Sequence, residues 1–265
     1  VTSGVKVVSM GPHVDFEAIL GRFEKEIIEG KDPKTGKERI AQREFGPGTP
    51  SWTPLELVPP AFAQVLTTTE DGSFFDHGGF STFQIRKALI QDLQKLTFYR
   101  GASTMSQQLV KNVFLTREKT LSRKLQEMII TWQMEETLTK EQILELYVNV
   151  IELGPNVYGI KEAARFYFCK LPRDLRLIEC LFLASILPNP RKFHEAFLIK
   201  GKGRLPNHWR RYLGTLLEIM VKRGKISADQ KALQAPYDVR FATSCDMPLE
   251  VDADPGEPVD TLLLD

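Results

Sequence analysis

Two carboxylates in unlike surroundings are the residues of this chain best placed to do chemistry. Glu70 and Asp71 stand in TEDGSFFDHGG at 69–79, an acid pair running into Phe74, His77 and a glycine turn. Alone the pair is ambiguous, because acids before glycines also describe a solvated helix end. Glu127 closes SRKLQE at 122–127, where Lys119, Arg123 and Glu127 follow at intervals of four and so line one side of a helix, with Lys124 beside them. The bland reading of that line is a surface ladder of ion pairs, worth little in stability. The chemical reading is a basic strip that holds a carboxylate among cations and can grip a pyrophosphate.

A third block, GASTMSQQLVKN at 101–112, leads from small residues into a helix, whose N-terminal N–H groups and dipole favour an anion. Capping by Ser103 or Thr104 accounts for those two residues. It does not account for Gln107, Gln108, Lys111 and Asn112, long polar side chains interleaved with Leu109, Val110, Val113 and Phe114, which suit a sugar or phosphate better than bare solvent. The spacing of a nucleotide P-loop is absent.

The elements that must position these residues are helical. PLELVPP at 54–60 ends in a diproline that launches a helix from Ala61 and leaves Glu70 near its end. Apolar periodicity predicts further helices over 82–98, 104–114, 117–137, 140–152, 157–168, 175–187, 205–223 and 227–234. Thr104 with Gln107, Thr139 with Gln142 and Ser227 with Gln230 are capping-box pairs, and Gly224 reads as a helix stop. The stripes Leu121, Leu125, Met128, Ile129, Trp132 and Ile143, Leu144, Tyr147, Val148, Ile151 are expected in the core. The segment 82–98 carries Ile85, Leu89, Leu93 and Leu96 beside Arg86, Lys87 and Lys95; it reads as a core helix on pattern, or as an amphipathic, mobile, membrane-facing piece. A short charged helix is expected over 15–28, followed by a turn at 31–38. No alternation supports a sheet of any size, so the fold class is all-α. The organisation expected is an N-terminal appendage or linker over 1–50, a main domain over 51–235 and an acidic tail over 236–265.

With 42% hydrophobic and 26% charged residues, the chain of 265 has the composition of a soluble globular protein. Its net charge of +1 hides a basic run from Gln84 to Lys124 and a stretch after Arg240 without Lys or Arg. Such a run attracts an anion: a phosphate, a nucleic acid or an acidic membrane surface. Cys169, Cys180 and Cys245 are odd in number and lack metal-type spacing, which indicates neither a complete disulfide framework nor a zinc site. No apolar run of about 18 residues is present, and the chain opens on Val rather than Met, as if an upstream segment had been removed.

Taken together, EDGSFFDHGG, GASTMSQQLVKN, RKLQE and ILELYVN, with RRYLGTLLEIM at 210–220, resemble the ordered motifs of the peptidoglycan glycosyltransferases, the lysozyme-like family that polymerises lipid II. The resemblance covers roughly Trp52 to Met220 and looks most like the monofunctional members. It implies a two-lobed helical domain with a cleft between the lobes, and inverting transfer in which a lipid pyrophosphate departs. Glu70 would be the base, supported by Asp71, which would also stand among the substrate contacts, and Glu127 would be the second catalytic carboxylate, at the donor end among Lys111, Lys119, Arg123 and Lys124. Ser103, Gln107, Gln108 and Asn112 would contact sugar or phosphate, Phe74 and His77 would be supports, and Tyr147 and Asn149 would hold the core beneath the cleft. A divalent cation, Mg or Mn, could bridge pyrophosphate to Glu127, although no ligand spacing demands one. Implied partners are lipid II, the growing glycan strand, the membrane surface and cell-wall synthesis proteins, with no nucleic acid. The implied place is the outer face of the cytoplasmic membrane, with an anchor outside this chain. Two residues depart from the family pattern: Lys119, where Arg is frequent, and Cys169, where Gly is usual. A lysozyme-like glycan-cleaving enzyme and an inactive lipid-precursor-binding scaffold are the alternatives; a neutral glycan would leave the basic cluster without a partner.

Overall fold

Helices dominate, and their ends follow the local chemistry. The computed structural model describes residues 5–6, 14–32, 34–80, 103–116, 120–201 and 203–250. Helix α1, Pro60–Thr69, begins at the diproline and ends with Glu70 as its C-cap. Helix α2, Met105–Val113, starts from a capping box of Thr104 and Gln107. Helix α3, Leu121–Thr137, is capped by Thr120, and α4, Lys140–Val150, by the Thr139–Gln142 box. Then come α5 (Gly159–Phe168), α6 (Leu177–Ile186), α7 (Pro190–His194) with a π-helical continuation over Glu195–Lys200, α8 (Asn207–Lys222) and α9 (Ala228–Ala232), the last opened by the Ser227–Gln230 box. Gly224, at φ +66°, lies just past the end of α8. Nearly every residue of α6 is buried, and α1 and α8 pack against it, which sets Glu70 at the rim of a rigid core. The amphipathic stretch predicted over 82–98 and the tail beyond residue 250 lie outside the described residues.

The first 50 residues correct one expectation. The chain forms only a 3-10 turn at Ala18–Leu20 and then a hairpin of β2 (Phe23–Lys31) and β3 (Glu38–Phe45), with β1 (Val5–Lys6) parallel beside β2. A helix over 15–28 was plausible because Phe23 and Ile27, four apart, satisfy both a helical and a two-residue period. Between them Lys25 points inward, which hides the alternation from a hydropathy reading. Its ammonium donates to the Val150 carbonyl at 2.9 Å and lies over the Phe45 and Tyr158 rings. Arg43 pairs with Glu162 at 3.1 Å and Arg191 donates to the Ile28 carbonyl at 3.0 Å, so the sheet is fastened to the helices. A two-stranded pair, β4 (Glu152–Gly154) with β5 (Val157–Tyr158), precedes α5. The fold is therefore mostly helical rather than all-α.

Two further corrections concern packing. Leu121, Leu125, Met128, Ile129 and Trp132, expected in the core, are all exposed, and the residues that α3 buries are Glu127, Thr131 and Met134. The cysteines also hold a pairing that their number concealed: Cys169 and Cys245 form a disulfide, while Cys180 is buried and free, its thiol pushed up to about 12 by burial and then by Glu179. Cys169 occupies the left-handed C-cap of α5 at φ 51°, where glycine would be least strained. The bond holds the segment after Val239 across α5, helped by Ala242 N–H to the Tyr167 carbonyl at 2.8 Å, by Lys161 to the Glu250 carbonyl at 2.6 Å, and by Phe241 stacked on Phe168. Because the crosslink closes a loop spanning 76 residues, its removal in Cys245→Ala should cost about 2–4 kcal/mol of unfolding free energy. Denaturant melts of the variant, or of the wild type under reductant, check this.

Candidate active site

The site is assembled where α1 ends and α2 begins. Asp71 is wholly buried, and its carboxylate accepts the Met105 backbone N–H at 3.1 Å and bonds His77 Nε2 at 3.0 Å. It therefore satisfies an orphan donor at the N-terminus of α2 while anchoring the turn that follows Glu70. Asp71, expected among the substrate contacts, offers a ligand no surface; it sets the register between the two helices. Phe74 is buried edge-on to the His77 ring and lies beneath the Lys140 ammonium, 4.5 Å from the ring centre. Lys140 in turn pairs with Glu135 at 2.7 Å, and Glu135 accepts from Ser106. Thr104 donates to the Gly79 carbonyl at 2.7 Å; a Cβ on Gly79, at φ +83°, would lie 2.9 Å from Thr131. These contacts lock α2, α3 and α4 to the Glu70 turn.

That register brings the polar face of α2 up to Glu70. Gln108 Nε2 donates to Glu70 Oε2 at 3.3 Å, and the Tyr147 hydroxyl from α4 donates to Gln108 Oε1 at 3.1 Å. The tyrosine fixes which end of the amide faces the carboxylate. Burial raises the Glu70 pKa above its ordinary value, opposed by the Gln108 hydrogen bond; Asp71 raises it further and Lys111 lowers it. Tyr147 is held well above its usual pKa by burial and by the charges of Glu70 and Asp71, so it stays a neutral donor. One turn beyond Gln108, Lys111 remains partly open to solvent and within electrostatic reach of both Glu70 and Glu127. Desolvation leads in lowering its pKa, with Arg123 and Lys124 adding to the effect and the two carboxylates opposing it.

Glu127 forms the other side. Its side chain is 2% exposed, Arg123 Nη1 lies 2.9 Å from Oε2, and Lys124 pairs with Oε1. The structure thus brings Glu70, Gln108, Lys111, Arg123, Lys124 and Glu127 into one electrostatic unit. Gln107 is buried in its capping box, with its side chain on the Thr104 N–H. Ser103 and Asn112 are half-buried at the start and end of the α2 segment, and Lys119 lies outside the described residues. Asn149 grips Thr53 through paired bonds of 2.8 Å, fastening the approach to α1. The divalent cation is expected as a bridge between Glu127 and a substrate pyrophosphate, an arrangement that calls for one or two protein carboxylates rather than a cage of them. Among the described residues no three His, Cys, Asp or Glu side chains converge, and both Glu127 oxygens already serve cations of the protein.

Sequence reasoning missed the supporting shell of Ser106, Glu135 and Lys140, and the part Tyr147 plays. A buried tyrosine hydroxyl requires a partner, which was the available signal for Tyr147. It also missed Arg223, just past α8, which donates to the Thr68 carbonyl at 3.0 Å and so caps the end of α1 next to Glu70.

The family described as Transglycosylase matches residues 37–214, a span that contains every residue of this unit. The chain belongs to the transglycosylase family. Within it, the biosynthetic peptidoglycan transglycosylase of Acinetobacter baylyi is 38% identical over 144 residues, covering 54% of this chain and 64% of that protein. The corresponding protein of Bdellovibrio bacteriovorus is 41% identical over 142 residues, 54% of this chain and 56% of its own length. Penicillin-binding protein 1A of Clostridium tetani is 32% identical over 220 residues, which is 81% of this chain and 27% of that larger protein. The matched stretch thus spans less than two thirds of these relatives.

Proposed function

We propose that this transglycosylase-family chain is a peptidoglycan glycosyltransferase that polymerises lipid II into linear glycan strands. The 4-hydroxyl of one sugar attacks the anomeric carbon of a lipid-linked donor; Glu70 takes the hydroxyl proton as the new glycosidic bond forms. The bond from the anomeric carbon to pyrophosphate oxygen breaks, and the lipid pyrophosphate leaves with its electron pair, with inversion. A base needs a pKa closer to the working pH than a free carboxylate has, and burial of Glu70 provides that shift. A departing pyrophosphate needs preorganised cations; Arg123 and Lys124 are held by Glu127 for that task, and Lys111 lies within electrostatic reach of them. Ser103, Gln107, Asn112 and Lys119 are proposed to complete the sugar and phosphate contacts. The observation that carries the reading is this pairing of a desolvated carboxylate with a separate carboxylate–cation cluster, both within electrostatic reach of Lys111.

The proposed catalytic unit is 51–235, a lysozyme-like, two-lobed body whose cleft runs between Glu70 and Glu127, braced by the hairpin and by the disulfide-held C-terminal segment. Its proposed place is the outer face of the cytoplasmic membrane, and the Cys169–Cys245 bond suits that oxidising side. Among the described residues no helix is long and apolar enough to cross a membrane. Incubating the purified chain with lipid II in detergent should yield polymer, and purified glycan strands should stay intact. Shortening of the strands without polymer growth would replace the reading with a hydrolase.

The Tyr147–Gln108–Glu70 relay gives a pH prediction. Tyr147→Phe frees the Gln108 amide to turn and weakens the one bond that leads in lowering the Glu70 pKa. The acid limb of kcat/KM should then move to higher pH, because a less stabilised carboxylate holds its proton longer. A profile superimposable on the wild type would remove Tyr147 from the relay.

A further inference from the structure

The side of α8 turned away from the core forms a cationic groove. It has a volume of about 930 Å³ between α8, α9 and Tyr237, and among the described residues Arg210, Arg211, Lys222 and Lys231 line it with one carboxylate, Glu218. That volume suits a small ligand or a short stretch of chain. One wall is a specific construction. Tyr237 takes the left-handed conformation at φ 62°, uncommon for a residue with a side chain, and its ring lies on Gly214, where a Cβ would come within 3.0 Å of it. Two of the cations are tied: Lys231 pairs with Glu218, and Arg210 lies 3.8 Å from Asp238. Arg211 and Lys222 are exposed, and Lys222 feels Glu218 only at longer range.

Position links the groove to the Glu70 turn. Round α8, Ile219 at the edge of the groove is followed within about 40° by Tyr212 and Arg223. Both of these face the end of α1. Arg223 donates to the Thr68 carbonyl at 3.0 Å and would lie 3.1 Å from a Cβ on Gly72, while burial and then the charge of Glu70 raise the pKa of the Tyr212 hydroxyl. The groove therefore opens on the flank of Glu70 that α8 contributes, whereas the cations paired with Glu127 stand on α3. Arg211 and Lys222 are each next in sequence to one of these two residues. They lie within reach of a peptide of about four residues, up to ~14 Å long, that starts from a sugar at Glu70.

We infer that this groove receives the peptide carried on the sugar of the substrate, and that Arg211 and Lys222 pair with its free carboxylates. The inference rests on the transferase reading for that substrate and adds an element of recognition to it. Four cations against one carboxylate call for an acidic ligand. The peptide of a peptidoglycan precursor ends in a free carboxylate and carries others along its length. A sugar bound at Glu70 brings that peptide to this flank already tethered, so the pairing is intramolecular and individually weak, exposed ion pairs suffice. The Tyr237 ring offers the peptide an apolar face beside the cations.

The experiment uses the 265-residue chain and a soluble disaccharide-peptide without lipid or pyrophosphate, in its free-acid form and with every carboxylate amidated. Titration calorimetry should show the acid form binding about fivefold or more tighter than the amide, the discrimination that two exposed charge pairs supply. Arg211→Gln combined with Lys222→Gln should abolish that preference at unchanged Tm. Arg211→Lys alone should retain it, because charge rather than shape is read. With lipid II the double variant should raise KM by a similar factor while kcat stays within about twofold; amidated lipid II should be handled equally by variant and wild type. Three results would overturn the inference: equal binding of the acid and amide forms; a preference that survives in the double variant; or an acidic peptide without sugar that binds as tightly as the disaccharide-peptide, which would make the groove a dock for a protein segment. The calorimetry needs no turnover, so failure to polymerise lipid II leaves it standing, and its own failure leaves the transferase reading standing.

Discussion

Glu127→Gln should reduce lipid II polymerisation by about 100-fold or more, the range seen when one preorganised electrostatic group is removed. The substitution keeps the shape of the side chain and deletes its charge. Two donors now meet the carboxylate, Arg123 at 2.9 Å and Lys124, while Lys111 feels it at longer range. A glutamine accepts through one oxygen and turns an NH2 toward the other cation, so at least one of the pair swings away. Arg123 and Lys124 are partly exposed and can recover water, which keeps the folding cost to about 1–2 kcal/mol, below that of breaking a fully buried pair. The kinetic loss should therefore greatly exceed the loss in stability. Initial rates of polymer formation beside a denaturant melt separate the two; equal losses would mean that Glu127 serves only the fold.

Glu70→Gln should have the larger effect on turnover, with a loss of about 1,000-fold or more, within the contribution expected of a positioned base. Its effect on stability should have the opposite sign. A carboxyl whose folded pKa is raised binds its proton more tightly folded than unfolded. Stability therefore falls as pH rises from the unfolded pKa through the raised folded one, and stays lowered above it. Glutamine escapes that penalty, so the variant should melt no lower than the wild type at neutral pH and should gain most there. A catalytic group kept at the expense of stability behaves in this way.

Much of this was legible in the residues. Diproline 59–60, the three capping boxes and Gly224 place helix ends within a few residues of those observed, because capping is a local interaction between neighbours in sequence. The charges of the site were legible for the same reason, Arg123, Lys124 and Glu127 being neighbours on one helix. What was hidden depends on distant partners. Lys25 is inward because Val150, Phe45 and Tyr158 receive it, and without that knowledge β2 looks like a charged helix. The stripe on α3 has the period of a core face, yet the body of the protein takes the opposite side, where Glu127 brings its own cations. Asp71 reads as a ligand contact until the Met105 N–H is seen to need it, and that requires the end of α1 to meet the start of α2. Cys169 and Cys245 pair across 76 residues, a distance at which spacing carries no information.

The proposal that Glu70 is the base stands or falls most directly on one comparison: lipid II turnover and donor affinity in Glu70→Gln, measured beside the wild type in the same detergent. Donor affinity should stay within about threefold, because the cations at Glu127 are untouched, while polymer formation should fall by about 1,000-fold or more. Polymer formed at the wild-type rate by Glu70→Gln would contradict the account.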